Sequence, residues 1–499
     1  MSLIIKTPQF KMRTLGALIA VCLSQTASAD DLLSLYQRAL FSSPELQGSQ
    51  FAVDIAKAQQ DQSFGKLLPQ VVLTGNYSQN RYHTQGRTLT NGLKSPDTVS
   101  TYPGERATVS FRQPLFDLQA YLLMKSQKTK TEASEQELAA AHQKLIDDLV
   151  ERYTDALEAI DKHEIIEAEL KSNEKQLARV TAMQARQMAM ITDMYELQAR
   201  VETLRTSLLD SDNEARVALE KLRELTGDAV THIQPARLDV NQPKPEGVID
   251  TWVQQAGQIN PELLSLKKTV EATRQSISGY KAAHLPRVEL QLNGTYSNTT
   301  IYNLQSGGTF DVGSAAVEAT MPIYSGGITS AQTREAEARK RYSEAQLEKK
   351  LRELENLTRA AYLDMNSSPV RTQASDRQLT ASEKSRDAMQ KGYELGVVTI
   401  VDLLESEKNL SDARKAQRMA RYRYFKARAA LLNQAGRLDV EELARMNQWL
   451  VAQKPALPPV APTQPKPEIK ASTDKPAPTK DSEAKAVPTA DITSKEVKP

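Results

Sequence analysis

The chain has 499 residues, only 5% of them aromatic, and its 64 Lys and Arg residues nearly balance its 62 Asp and Glu residues. This balance gives no electrostatic signal for nucleic acid, and the mean hydropathy of −0.50 argues against a polytopic α-helical membrane protein. One Cys and five His residues offer neither a disulfide scaffold nor a cysteine-based zinc site.

The first 29 residues have the pattern of a secretory signal peptide. A basic start without acidic residues precedes an apolar run at 15–23 and an A-x-A-like cleavage site that ends at Ala29. The alternative is a lipoprotein whose first residue would be Cys22, but Val21 is larger than the small residue that such a site usually has. Cleavage after Ala29 also removes the only cysteine, which fits an oxidising compartment. The sequence therefore predicts export.

The rest of the chain contains an internal duplication. Five short segments recur in the same order in a first repeat, 30–235, and a second repeat, 236–450. The matching segments are 43–46 with 260–263, 68–71 with 285–288, 73–78 with 292–297, 111–116 with 319–324, and 191–193 with 400–402.

Each repeat contains one predicted β-hairpin, at 69–114 and at 286–323. Apolar and polar residues alternate strictly there over about 9–11 residues, which is the pattern of a transmembrane β-strand. The alternative is a soluble sheet with one buried face. Four strands cannot close a barrel alone, and lipid does not tolerate an open edge. If the strands enter a membrane, several chains must share one barrel.

Long helices surround the hairpins. The segment 118–226 has 109 residues without Gly or Pro, and a single straight helix of that length would span about 160 Å. A turn within 187–192, near residue 190, divides it into helices of about 70 and 34 residues, and a second turn near 397 divides the other repeat. The remaining predicted helices are 31–67, 247–284, 326–395 and 400–435, and Pro369 is expected to kink the third of these.

The predicted fold is therefore mainly α with a small β part. It combines a long α-helical coiled-coil barrel with a β-barrel to which each chain gives four strands. Beyond it, the segment 451–499 has no aromatic residue and holds ten of the 23 prolines. Such a segment cannot bury enough apolar surface to offset its ordering entropy, so we expect a disordered tail.

The motifs give the chain a family resemblance over essentially all of residues 31–450. It resembles the TolC family of outer-membrane efflux and secretion ducts, and it is closer to the name-giving branch than to the lipidated efflux branch. The motifs that carry the resemblance are Asn260-Pro261-Glu262-Leu263, His284-Leu285-Pro286, 322–327 (PIYSGG), 392–396 (GYELG), 399–404 (TIVDLL), 114–117 (PLFD) and Ile191-Thr192-Asp193.

The resemblance implies a homotrimer in the outer membrane with a long periplasmic extension. Its twelve strands would form one barrel in contact with lipid, and its twelve helices would form a periplasmic tunnel. The implied partners are a periplasmic adaptor protein and an inner-membrane pump or ABC transporter. No nucleic acid and no cofactor are implied.

In the family, an acidic ring and contacts between neighbouring helices close the periplasmic tip. Asp402 matches the first ring acid, and Glu405 stands where the second is an Asp. Six carboxylates around a threefold axis would repel each other and attract cations. The alternative is that both are solvated residues at a helix start, where acids interact favourably with the helix dipole.

Three further residues match a gate at the tip. Tyr393 matches the gate tyrosine, and Thr192 and Asp193 match its partners on the other turn, where a Tyr hydroxyl can donate to a carboxylate. The gate arginine of the family is absent, because its position holds Val398. The latch of this chain is therefore expected to be weaker or differently made.

Adaptor docking is implied at the tip as well. Gly396 matches a tip glycine near the adaptor, but its counterpart in the first repeat is Gln187. This difference argues against two equivalent docking positions.

These observations lead to one functional hypothesis and two alternatives. The chain is expected to be the exit duct for tripartite drug efflux, type I protein secretion or both. A periplasmic coiled-coil scaffold or adhesin without channel activity would explain the helices but not the hairpins. An enzyme is a distant third, because the histidines show no ligand spacing and no G-x-S-x-G, phosphate-loop or H-E-x-x-H motif occurs.

Overall fold

The computed structural model describes residues 30–86, 92–93, 96–237, 242–299 and 308–450. The predicted signal peptide and tail, and parts of both hairpin loops, lie outside these ranges. The described elements, in chain order, are α1 (Leu32–Ser42), α2 (Pro44–Gly65), β1 (Gln70–Thr84), β2 (Thr98–Phe116), α3 (Leu118–Gln184), α4 (Ile191–Thr226), α5 (Ile249–Ile259), α6 (Pro261–Ala282), β3 (Arg287–Thr299), β4 (Gly308–Thr320), α7 (Ile328–Glu394), α8 (Ile400–Gln434) and α9 (Val440–Asn447).

Two long helices organise both repeats. α3 and α7 each have 67 residues, close to the predicted 70, and span about 100 Å each. α4 has 36 residues and packs against α3, while α8 has 35 and packs against α7. Pro369 lies inside α7, which continues through it. No described helix combines the length and the apolar character that crossing a membrane requires.

The predicted helices 31–67 and 247–284 are each divided in the structure, which corrects the sequence interpretation. Ser43 ends α1 and caps α2, with its hydroxyl accepting from the Leu46 N–H, and Pro44 is the first residue of α2. Asn260 and Pro261 repeat this arrangement between α5 and α6. Proline has no N–H to donate to the preceding turn, so the helix must restart there with a new cap.

The four strands form one antiparallel sheet in the order β1-β2-β3-β4. The strands have 13–19 residues. They exceed the predicted 9–11 because backbone pairing continues past the alternating segments. Neighbouring rows differ in character. Val71, Phe111, Leu292 and Ala315 stand side by side on one face, and the next row, on the other face, is polar except for Val72 and includes Ser110, Asn293 and Ser314.

The largest buried apolar cluster joins both repeats at the end of α4 and α8. It includes Leu35 of α1, Tyr153 of α3, Leu222 of α4 and Leu431 of α8. Tyr153 Oη donates to the Gln234 carbonyl at 2.7 Å, so the hydroxyl of this fully buried side chain is satisfied. This cluster joins the ends of α4 and α8 to the middle of α3, away from the turns.

Candidate functional site: the turns between the long helices

The two turns at the end of the long helices have the same backbone geometry. Gln187 and Gly396 both lie in the left-handed region, with φ of 61° and 74°. The residue after each turn residue donates to the carbonyl five positions back, Met188 to Met183 at 2.9 Å and Val397 to Gly392 at 3.0 Å. Gln187 is the only non-glycine residue with positive φ within the described ranges. Gln187 and Gly396 therefore occupy equivalent positions in the two turns, as the sequence match predicts.

The helices that follow the turns begin differently. Thr399 caps α8 in a reciprocal arrangement, in which Asp402 N donates to Thr399 Oγ1 and Thr399 N donates to Asp402 Oδ2, both at 3.2 Å. The Thr399 hydroxyl also donates to Asp402 Oδ2, at 2.6 Å. Met190 stands at the same position of α4 and provides no side-chain cap. Asp193, the counterpart of Asp402, therefore has no hydroxyl at the N-cap of its own helix to bind.

Asp193 instead accepts a hydrogen bond from the other repeat. Tyr393 Oη donates to Asp193 Oδ2 at 3.3 Å, across from α7 to α4. Burial raises the pKa of Tyr393, and the negative charge of Asp193 raises it further, while Arg179 opposes this shift. The phenol consequently keeps its proton and remains a donor. Thr192 forms no hydrogen bond with Tyr393 within the described part of the chain.

An ion pair that the sequence analysis did not identify also joins the repeats. Arg179 Nη1, near the end of α3, lies 3.0 Å from Glu394 Oε1, at the end of α7, and both side chains are about half exposed. Glu394 belongs to the quoted GYELG motif, but nothing in the sequence places Arg179 opposite it. Val398 provides no charge, and a Cβ on Gly392 would lie 2.6 Å from its Cγ2. The position of the missing arginine is thus packed against the helix.

A cleft of about 540 Å³ lies between the two turns. Its floor includes Val180 and Ile400, which belong to a small buried apolar cluster shared by the four helices. Its rim has exposed apolar side chains on both turns. These are Met188, Met190, Leu395 and Val397, each at least 67% exposed. The docking residues predicted from the sequence, Gly396 and Gln187, stand at this cleft and beside it, respectively.

The two predicted ring acids are exposed in the single chain. Asp402 is bound to Thr399, so it does what the helix-start interpretation expects of it. Glu405 Oε2 lies 4.0 Å from Lys408 Nζ, one turn further along α8. Within the described ranges, no group of three or more His, Cys, Asp or Glu side chains could hold a metal ion.

Comparison with known proteins gives one family and a consistent set of relatives. The family model described as "Outer membrane efflux protein" matches residues 35–228 and 252–437. The chain is 25% identical to the outer membrane protein TolC of Escherichia coli strain K12 over 444 residues, covering 86% of each chain. It is 28% identical over 424 residues to the alkaline protease secretion protein AprF of Pseudomonas aeruginosa, covering 84% of this chain and 87% of that one.

A solved structure has the same fold. The CmeC outer membrane channel of Campylobacter jejuni superposes with a TM-score of 0.71 at 15% identity, covering 90% of this chain and 98% of that one. At this identity the likeness concerns the fold. It extends the comparison to the helices and the sheet together.

Proposed function

Because the chain belongs to the outer membrane efflux protein family, it is an outer-membrane channel protein, and we propose that three copies assemble into one exit duct with a gated periplasmic tip. The duct serves tripartite drug efflux, type I protein secretion or both. The family description supports efflux, and the protease-secretion relative supports secretion.

The unpaired edges of the sheet are the observation that carries the assembly. Within the described residues, β1 and β4 each pair on one side only. A sheet with open edges is not tolerated in lipid, and four strands cannot close on themselves. Pairing β4 of one copy with β1 of the next satisfies both edges, and three copies give a barrel of twelve strands.

The gate is proposed at the two turns. The Tyr393–Asp193 hydrogen bond and the Arg179–Glu394 ion pair hold α7 to α3 and α4, so they oppose separation of the two turns. This ion pair replaces the charged contact that the gate arginine makes in the family and that Val398 cannot make. Three copies of Asp402 and Glu405 around the pore axis would form the acidic ring.

The partners proposed are a periplasmic adaptor protein and an inner-membrane pump or ABC transporter. The apolar rim of the cleft at Met188, Met190, Leu395 and Val397 suits the apolar face of an adaptor helix. The relatives are named as an outer membrane protein and a secretion protein, and we expect no catalytic activity. A scaffold or adhesin without a channel would leave the paired apolar face of the sheet unused.

Gene deletion with complementation tests the duct. We expect deletion to sensitise cells to dyes and detergents, to block release of a secreted protein, or both, and the full chain to restore either property. The control is the same chain without residues 1–29, which should not reach the outer membrane. A deletion strain unchanged in drug sensitivity and in secretion would contradict the proposal.

A further inference from the structure

Polar contacts occur at intervals along the interface between α3 and α8. We call them rungs. As residue numbers rise along α3, those of the partners fall along α8, as antiparallel packing requires. The upper rungs are Asn433 Nδ2 donating to Asp147 Oδ2 at 2.7 Å, Lys426 Nζ donating to Glu158 Oε1 at 3.2 Å, and Tyr422 Oη donating to Asp161 Oδ2 at 2.5 Å.

The next rung toward the turns is incompletely bonded. About three helical turns beyond Asp161, Asn173 and Glu407 line the same small cavity, and we call them the lower rung. Asn173 is fully buried, and its Nδ2 donates to the Glu169 carbonyl at 3.0 Å. Within the described residues, Asn173 Oδ1 and Glu407 Oε2 have no hydrogen-bond partner, and neither do Ser411 Oγ and Arg386 Nε beside them.

The unpartnered polar atoms of the lower rung destabilise the closed tip, in which α3 and α8 are packed together. The cavity has a volume of about 100 Å³ and is lined by α3, α7 and α8. Burial raises the pKa of Glu407 and the charge of Glu169 adds to the shift, while Arg386, a hydrogen bond with the Asn173 side chain and Arg200 of α4 oppose it. A buried polar atom without a partner loses its hydration and gains nothing in return. Separation of the helices here exposes these atoms to water.

The upper rungs behave in the opposite way. Both oxygens of Asp161 are bonded, one to Tyr422 and the other to Arg418. Lys426 reaches both Asp155 and Glu158. Breaking such charge-assisted bonds costs more free energy than hydration of the separated groups returns, because each group is hydrogen-bonded and partly buried.

We propose that the lower rung is the release point of the α3–α8 interface: the tip opens by separation of α8 from α3 as far as Asn173 and Glu407, while the upper rungs keep the helices in register. The proposal rests on the gated tip proposed above. Below this rung, the contacts that hold α7 and α8 to α3 and α4 in the described part of the chain are the small apolar cluster, the Tyr393–Asp193 bond and the exposed Arg179–Glu394 pair.

Disulfide locking tests the position of the release point. The only cysteine in the sequence is Cys22, so introduced cysteine pairs can be read without interference. We compare Asn173→Cys with Glu407→Cys against a control pair in an upper rung, Asp147→Cys with Asn433→Cys. The readout is the fraction of time that purified channels in planar bilayers spend at their highest conductance, before and after reduction with dithiothreitol.

Locking the lower rung should reduce that fraction about tenfold and reduction should restore it, whereas locking the upper rung should leave it unchanged. Equal effects of the two pairs, or no effect of the lower pair, would overturn the release point. A wild-type chain that conducts no current would overturn the proposed duct instead, so the two failures are distinguishable.

A second variant decides the matter if the lower disulfide does not form. Asn173→Leu with Glu407→Met removes two unpartnered polar atoms and keeps similar side-chain sizes. Because the closed arrangement then loses its penalty, openings should become about tenfold rarer. Openings at the wild-type frequency would contradict the proposal.

Discussion

Asp193 and Asp402 stand at the same place in the two repeats, three residues after the N-cap position of their helix. Thr399 binds Asp402 within α8, whereas Met190 leaves Asp193 free to accept from Tyr393. The duplicated acids therefore have different partners because one capping residue differs. A cap of this kind contributes about 1 kcal/mol to its helix.

Met190→Thr should convert the Asp193 position into a second reciprocal cap. We expect α4 to gain about 0.5–1 kcal/mol at its start and the Tyr393–Asp193 bond to weaken, because both donors compete for one carboxylate. Single-channel recording should show more frequent openings. Met190→Leu, which adds no hydroxyl, is the control, and equal opening frequencies in the two variants would refute the competition.

The Arg179–Glu394 pair is exposed, so each copy contributes about 0.2–1 kcal/mol. Arg179→Glu should increase the frequency of openings by placing two carboxylates opposite each other. Glu394→Arg in the same chain restores opposite charges and should return openings toward the wild-type frequency. If the double variant opened as often as the separate effects of Arg179→Glu and Glu394→Arg add up to, the pair would not latch the tip.

Asp402→Ala with Glu405→Ala tests the acidic ring. Removing these carboxylates from the pore should weaken block of the single-channel current by divalent or trivalent cations, because the field that attracts cations is lost. Glu441→Ala, on the exposed first turn of α9, provides a control for a general change of charge. Unchanged block in the double variant would favour a purely helix-capping role for Asp402.

Not every residue of the candidate site could be predicted from the sequence. Tyr393, Asp193, Asp402 and Glu405 were identified through a family resemblance, and the structure joins the first two directly. The Arg179–Glu394 pair joins residues that are 215 positions apart. No local periodicity determines such a pair, since it depends on how α3 and α7 are rotated about their axes.

At the scale of elements, two glycines fit against the breaks between the short helices. Gly227 ends α4 with a φ of 78°, and a Cβ there would lie 2.8 Å from Ser42 Oγ. Gly436 follows α8 with a φ of 70°, and a Cβ there would lie 2.9 Å from Asn260 Cα. In both repeats, the end of one helix therefore abuts the restart of another.

Gly436→Ala should lower the apparent Tm more than Gly227→Ala. Both substitutions strain a left-handed backbone, but the new methyl group meets backbone at Asn260 and only a small side chain at Ser42. We expect about 2 kcal/mol of destabilisation for Gly436→Ala. Gly48→Ala, inside α2 with nothing within 4 Å, should stabilise slightly. Equal Tm values for all three variants would refute the close approach.

The sequence allowed helix lengths to be predicted better than helix breaks. A stretch without Gly or Pro indicates α3 and α4 directly, because nothing in it interrupts the backbone bonding. Ser43-Pro44 was recognised as a repeated motif, yet its effect as a stop and restart was missed. The strand lengths were also underestimated, since pairing beyond the apolar rows depends on backbone contacts between neighbouring strands.

At the scale of the whole molecule, the sheet presents one apolar face across both repeats. Leu292→Arg places a charge on the apolar row, whereas Asn293→Arg places it on the polar row. A charge on a lipid-facing strand position costs about 2–4 kcal/mol at the membrane centre and much less inside a water-filled barrel. We expect Leu292→Arg to reduce the oligomer recovered from outer membranes and Asn293→Arg to be tolerated. Similar yields of both variants would contradict a lipid-facing row.

The two open edges of the sheet also have a genetic consequence. A chain in which β1 or β4 cannot pair still has the other edge strand available. It can therefore enter the proposed trimer, but the barrel that contains it cannot close. When such a chain is expressed at the same level as the wild type and mixes freely, only about one trimer in eight contains no defective copy. Edge mutations should therefore be dominant over the wild-type allele, whereas a gene deletion should be recessive.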